Sequence, residues 1–80
     1  MIEVVVYTRE GCGLCRVAEA VVADVCAGRA LVRLVDIDAD PAITDRYTVR
    51  VPVVTVDGEE VCELGCERRL LEAALRDAGA

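Results

Sequence analysis

The β-branched run Ile2-Glu3-Val4-Val5-Val6-Tyr7 is followed by a short polar break, Thr8-Arg9-Glu10-Gly11, and then by apolar residues at Leu14, Val17, Ala18, Val21, Val22, Val25 and Cys26. The first pattern is that of a strand covered on both faces, and the second is one face of a helix. This change of period constrains the fold more than any other feature. Gly28 suits a helix stop. Ala30-Leu31-Val32-Arg33-Leu34-Val35-Asp36-Ile37 then reads as a second strand. A strand, a helix and a strand in that order imply a right-handed crossover joining two parallel strands.

The remainder of the chain extends this unit. Asp40-Pro41 places a capping carboxylate before a proline at the first helical position, which predicts a short helix to about Tyr47. Val51-Pro52-Val53-Val54-Thr55-Val56 predicts a third strand, with Pro52 at its first residue or on an edge because it has no N–H for a ladder. Asp57-Gly58 is a hairpin signal, so an antiparallel fourth strand is expected over Glu59 to Cys62. A last helix is expected from about Cys66 to Ala78, with Leu70, Leu71, Ala74, Leu75 and Ala78 on its apolar face. The predicted order is β-α-β-α-β-β-α, an α/β fold with a four-stranded mixed sheet and helices on both faces, in a single domain over residues 1–80. A chain of 80 residues buries only about 60% of its unfolded surface. Covering both sheet faces meets that difficulty, and with 55% apolar residues but only Tyr7 and Tyr47 as aromatics, the core must be aliphatic.

Composition removes several kinds of chemistry. There is no His, so no imidazole base serves a Ser or Cys nucleophile, and any metal would rest on thiolates or carboxylates. Nine arginines stand against fifteen acids, for a formal charge of −6, which argues against nucleic acid as a partner. No apolar run approaches the length of a membrane span. The cysteine count is five, an odd number, and the chain opens Met1-Ile2-Glu3 without a basic, apolar leader. A reducing, cytoplasmic location is expected, where closely spaced cysteines are more often catalytic or metal-binding than structural.

Cys12-Gly13-Leu14-Cys15 sits at the junction of the first strand and first helix. A helix N-terminus carries unpaired N–H groups and about half a positive charge, which favours a thiolate. The Cys12 thiol is therefore expected to ionise more easily than a free cysteine. Arg9 would add positive charge there and Glu10 would oppose it. The two-residue spacing lets Cys15 reach Cys12 within disulfide geometry. Cys12 is expected to attack a substrate disulfide, and Cys15, less exposed, to resolve the mixed disulfide.

Tyr7-Thr8-Arg9-Glu10-Gly11-Cys12-Gly13-Leu14-Cys15-Arg16 resembles the active-site segment of glutaredoxins, Val51-Pro52 their cis-proline loop, and Val56-Asp57-Gly58 their hairpin. The resemblance covers nearly the whole chain and is closest to short bacterial glutaredoxin-like proteins. It implies a thioredoxin fold, Cys12 as nucleophile, Cys15 as resolving thiol, and a cis Pro52 facing the pair. The Val51 backbone would then hydrogen-bond a docked peptide or glutathione. Arg9 stands where glutathione users carry a basic residue that contacts a glutathione carboxylate, and its alternative is a solvated loop charge. Gly13 and Leu14 stand where typical glutaredoxins have Pro-Tyr. Before the last helix only Gly65 and Glu67 match the glutathione-binding pattern, and Arg68 reverses a charge. The implied substrate-binding set is Arg9, Gly13, Leu14, Val51, Pro52 and Gly65. The implied partners are protein or small-molecule disulfides, with glutathione or a thioredoxin reductase as electron donor. No cofactor is expected, and a monomer is.

Three cysteines lie outside this motif. Cys26 falls on the apolar face of the first helix and reads as core. Cys62 and Cys66 admit three readings: two small semi-buried hydrophobes, a second redox couple, or half of a four-thiolate metal or iron–sulfur site with Cys12 and Cys15. A redox-inactive interaction domain is the remaining alternative for the whole chain. Asp36, Asp38 and Asp40 read as a polar strand end followed by a helix cap rather than as a calcium loop.

Overall fold

Strand β1 (Glu3–Thr8) occupies the interior of the sheet, as its unbroken apolar run requires: Val4, Val5 and Val6 are all buried. The computed structural model describes residues 1–80. Helix α1 (Gly13–Cys26) follows, then β2 (Leu31–Asp36), a 3-10 turn (Ile37–Ala39), α2 (Pro41–Tyr47), β3 (Val53–Val56), β4 (Glu59–Glu63) and α3 (Arg68–Asp77). The sheet order is β2-β1-β3-β4. β1 runs parallel to β2 and antiparallel to β3, and β3 is antiparallel to β4.

Alternation along β1 sends its side chains to two separate layers. Val4 and Val6 join Val54 and Val56 of β3 in the main core, beneath Val22, Val25 and Cys26 of α1 and Leu71 and Leu75 of α3. Tyr7 points to the other face, where Val53, Ile37 and Tyr47 form a smaller core under α2. The two tyrosines stack there with ring centroids 4.4 Å apart, and the Arg46 and Arg50 guanidiniums lie over the Tyr47 ring. Helices therefore cover both faces of the sheet, as expected.

Local signals operate where they were read. The Asp40 carboxylate accepts a hydrogen bond from the Ala42 amide at 2.9 Å, and Pro41 opens α2. Asp57 and Gly58 both take positive φ, 49° and 86°, as a two-residue hairpin of this twist demands. β4 carries a bulge opposite Val54 and Thr55, where the pairing skips Val61.

Three expectations shift. β3 begins at Val53, with Pro52 just outside the ladder it cannot join. α3 begins at Arg68 rather than Cys66, because Leu64 and Gly65 hold positive φ (62° and 151°) and the chain turns there before it coils. The expected apolar face of α1 is buried at Ala18, Val22, Val25 and Cys26 but not at its start: Leu14 is 56% exposed and Val17 63%. The first turn of α1 runs past the ends of the strands, so one side of it has nothing to pack against.

Candidate active site

Strand register assembles the site. Tyr7 of β1 pairs with Val53 of β3, Val53 pairs with Glu63 of β4, and Thr8 pairs with Asp36 of β2. The segments leaving these positions, residues 9–12, 37–38, 51–52 and 64–66, therefore emerge at one end of the sheet. The N-terminus of α1 lies at that end as well, because α1 follows β1 directly.

Cys12 is the N-cap of α1, in extended conformation (φ −98°, ψ 106°). Its Sγ accepts a hydrogen bond from the Cys15 amide at 3.1 Å, and its carbonyl accepts the Arg16 amide at 3.2 Å. The sulfur thus takes the place of the oxygen that usually caps a helix. Cys12 and Cys15 are joined as a disulfide with Cα atoms 5.2 Å apart, inside the usual range. Cys15 is 0% exposed, whereas Cys12 is half-buried. Of the two, Cys12 is the residue open to an approaching molecule. Exposed Gly13 and Leu14 stand beside it, and Val17 continues the apolar rim one turn on.

Two ionic clusters fix the loop that carries Cys12. Thr8, at the end of β1, donates its hydroxyl to Glu19 of α1, and Arg16 bonds Thr8 Oγ1 (2.9 Å), the Arg9 carbonyl (3.0 Å) and Glu19 Oε2 (2.7 Å). Arg9 donates from Nε and Nη2 to the two carboxylate oxygens of Asp38 (2.9 Å each), from Nη1 to the Thr48 carbonyl (3.2 Å) and from Nη2 to the Thr48 hydroxyl (3.0 Å). Such a forked pair fixes geometry as well as charge. Both guanidiniums are thereby occupied, which leaves the amide groups at the head of α1 as the positive element facing Cys12. Asp38, Thr48, Thr8 and Glu19 were not found from sequence. Their roles depend on contacts between distant segments, and only the i, i+3 spacing of Arg16 and Glu19 was a local signal.

The Arg9 guanidinium holds the Asp38 carboxyl below the ordinary carboxylate range, and Asp38 in turn raises Arg9. A carboxyl whose folded value is depressed adds stability above its unfolded pKa, near 4, and loses it as pH falls through the lower folded value. Asp38→Asn is accordingly expected to lower the urea midpoint at neutral pH. The gap from the parent protein should narrow steadily below about pH 4. A gap that stays constant down to pH 2 would show that the ion pair contributes nothing to folding.

The other expected site residues are placed as follows. The Val51–Pro52 peptide is cis, Pro52 is buried, and Val51 is half-buried with its amide donating to the Tyr47 carbonyl at 3.2 Å. Gly65 lies in the β4–α3 loop, whose Leu64 amide donates to the Arg50 carbonyl at 3.0 Å. Arg50 also reaches across to Glu60 and Glu63 of β4. Cys26 is buried in the main core, and burial pushes its thiol pKa up. Cys62 and Cys66 lie together, apart from Cys12 and Cys15. No three or more Cys, Asp or Glu side chains converge on one point. The four thiols are therefore not gathered at one point in this structure.

A glutaredoxin-like domain family (DUF836) matches residues 3–78. The chain is 33% identical to protein XcR50 from X. campestris over 96% of its own length and 99% of that chain, with a TM-score of 0.77. A mutant thioredoxin from Halobacterium salinarum is 27% identical over 95% of this chain and 73% of that one, with a TM-score of 0.71. Oxidised thioredoxin from Plasmodium falciparum, at 20% identity, covers 99% of this chain and 82% of its own with a TM-score of 0.68, a likeness of fold. No protein of curated function matches the sequence.

Proposed function

The chain belongs to the glutaredoxin-like domain family and has the thioredoxin fold, and on that premise we propose that it is a thiol–disulfide oxidoreductase acting through Cys12-Gly13-Leu14-Cys15. Family membership and a C-x-x-C pair at bonding distance suggest redox chemistry in general terms. The finer reading, reduction of protein or small-molecule disulfides by dithiol exchange, is carried by one observation. Half-buried Cys12 caps a helix with its sulfur, which accepts an amide hydrogen bond, while its partner Cys15 is fully buried.

The Cys12 thiolate attacks one sulfur of a substrate disulfide, forms a mixed disulfide and releases the first substrate thiol. Cys15 then gives up its proton and attacks the Cys12 sulfur. That step releases the second substrate thiol and leaves the Cys12–Cys15 disulfide. Two electrons and two protons pass from the protein dithiol to the substrate. Glutathione or a thioredoxin reductase restores the dithiol. Val51, Pro52 and Gly65 share the sheet end with Cys12, which supports their role in docking an extended substrate segment, through groups other than the Val51 amide that Tyr47 already holds. Arg9, Gly13 and Leu14 flank the reacting sulfur in sequence. The odd cysteine count supports work in a reducing compartment such as the cytoplasm, and we take the protein to act as a monomer.

The test is alkylation of the reduced protein as a function of pH, read at Cys12 by peptide mapping. The Cys12 thiol is expected to titrate well below the free-cysteine value of about 8.5. A value at or above 8.5 would remove the reading. Oxidised protein offered separately to glutathione and to a thioredoxin reductase then identifies the donor by which of them opens the Cys12–Cys15 disulfide.

A further inference from the structure

We infer that Cys62 and Cys66 form a second thiol–disulfide site, distinct from Cys12–Cys15, that is oxidised by small-molecule disulfides of the glutathione-disulfide class. The inference begins with backbone geometry. Cys62 is buried at the end of β4, paired with Val54 and packed into the main core. The chain then reverses through Leu64 and Gly65, both at positive φ, and the Leu64 amide is held on the Arg50 carbonyl. This reversal returns Cys66 to Cys62, with the two Sγ atoms 3.0 Å apart. A covalent S–S bond is about 2.05 Å. The two sulfurs thus stand about one ångström short of bonding distance.

Access follows the same asymmetry as in the first pair. Cys62 is 8% exposed, whereas Cys66 is half-buried. Cys66 opens on a shallow cleft beside Glu63, Gly65, Glu67 and Leu70. Entry is therefore through Cys66. Its thiolate attacks the small disulfide, forms a mixed disulfide and expels one small thiol. The Cys62 sulfur, already in contact, displaces the second small thiol and closes the Cys62–Cys66 bond. The two thiol protons leave on the two small thiols, and the oxidant takes up two electrons. A neighbouring thiol at this distance acts at high effective concentration, so the mixed disulfide does not accumulate.

The chemistry also sets the pace. Burial, followed by the neighbouring Cys62 and Cys26 thiols, pushes the Cys66 thiol well above its ordinary range. Glu63 and Glu67 in the same cleft add no positive charge that would reverse this. The thiolate forms less readily than in an exposed cysteine, so this site is expected to oxidise more slowly than Cys12–Cys15. Once formed, the bond ties the end of β4 to the entry of α3. It also fixes the loop that rests on Arg50, next to Val51–Pro52.

The test uses the whole, fully reduced protein in excess oxidised glutathione, quenched with an alkylating agent in denaturant and read by intact mass and peptide mapping. Five reactive thiols are expected to fall to one, Cys26, with Cys62 linked to Cys66 in a slower second phase. That phase should accelerate as pH rises from about 7 to 9, following the thiolate fraction. The Cys62→Ser/Cys66→Ser protein should show only the first phase. The inference is overturned if the wild-type reaction stops with Cys62 and Cys66 both alkylated, or with Cys66 held as a stable glutathione adduct beside a free Cys62. Because the map identifies each linkage separately, failure here leaves the reading of Cys12–Cys15 untouched, and the reverse holds.

Discussion

Cys12→Ser protein is expected to lose disulfide-reductase turnover by roughly three orders of magnitude or more. A serine hydroxyl at the same helix cap can accept the Cys15 amide, so the fold should survive. It ionises far above neutral pH, however, and it cannot form the S–S bond through which exchange proceeds. Cys15→Ser should behave differently. The half-buried Cys12 still attacks, but nothing resolves the product, so a mixed disulfide on Cys12 accumulates and can be trapped and mapped. Cys15 is 0% exposed, and a buried hydroxyl without a partner costs roughly 1–3 kcal/mol. Circular dichroism of that variant separates lost chemistry from lost fold. If Cys12→Ser protein keeps wild-type turnover with a supplied electron donor, the oxidoreductase reading is wrong.

Leu71→Ala is expected to bring the largest loss of stability, roughly 2–5 kcal/mol. Leu71 and Leu75 are fully buried and link α3 to α1 and to the β3–β4 half of the sheet within one aliphatic core. Small domains have total stabilities near the low end of about 5–15 kcal/mol, so this one substitution removes a large share. At about 4–8 °C per kcal/mol for a domain of this size, the thermal midpoint should fall by roughly 8–40 °C. The neighbouring Leu70 is 46% exposed, and Leu70→Ala should shift the midpoint by only a few degrees. Two leucines adjacent in sequence are thus expected to differ severalfold in melting experiments. Equal shifts would mean that α3 does not dock by the face described.

The two predictions test different parts of one arrangement. Leu71 holds α3 against the sheet, and the entry of α3 carries Cys66. Cys12 depends instead on the β1–α1 junction, secured by Thr8, Arg16 and Glu19. Damage to the α3 side should therefore appear first as lost stability, and damage at Cys12 as lost chemistry with the fold retained.

The sequence alone determined whatever depends on local period and local caps. These include the strand-to-helix switch that places Cys12 at a helix start, the Asp40-Pro41 entry to α2, the Asp57-Gly58 hairpin and the order of all seven main elements. Each follows from forces acting within a few residues: side-chain alternation, amide capping and permitted backbone angles. Tertiary structure decided what depends on the meeting of distant segments. The exposure of Leu14 and Val17 reflects where the sheet ends beneath α1, and no periodic pattern encodes that end. The Arg9–Asp38 fork joins two loops through the parallel pairing of β1 and β2. The Cys62–Cys66 contact required the reversal at Leu64 and Gly65 as well as the pairing of β4 with β3. A chain's own spacing fixes which face a residue belongs to, but burial and partnership depend on the surface brought against that face.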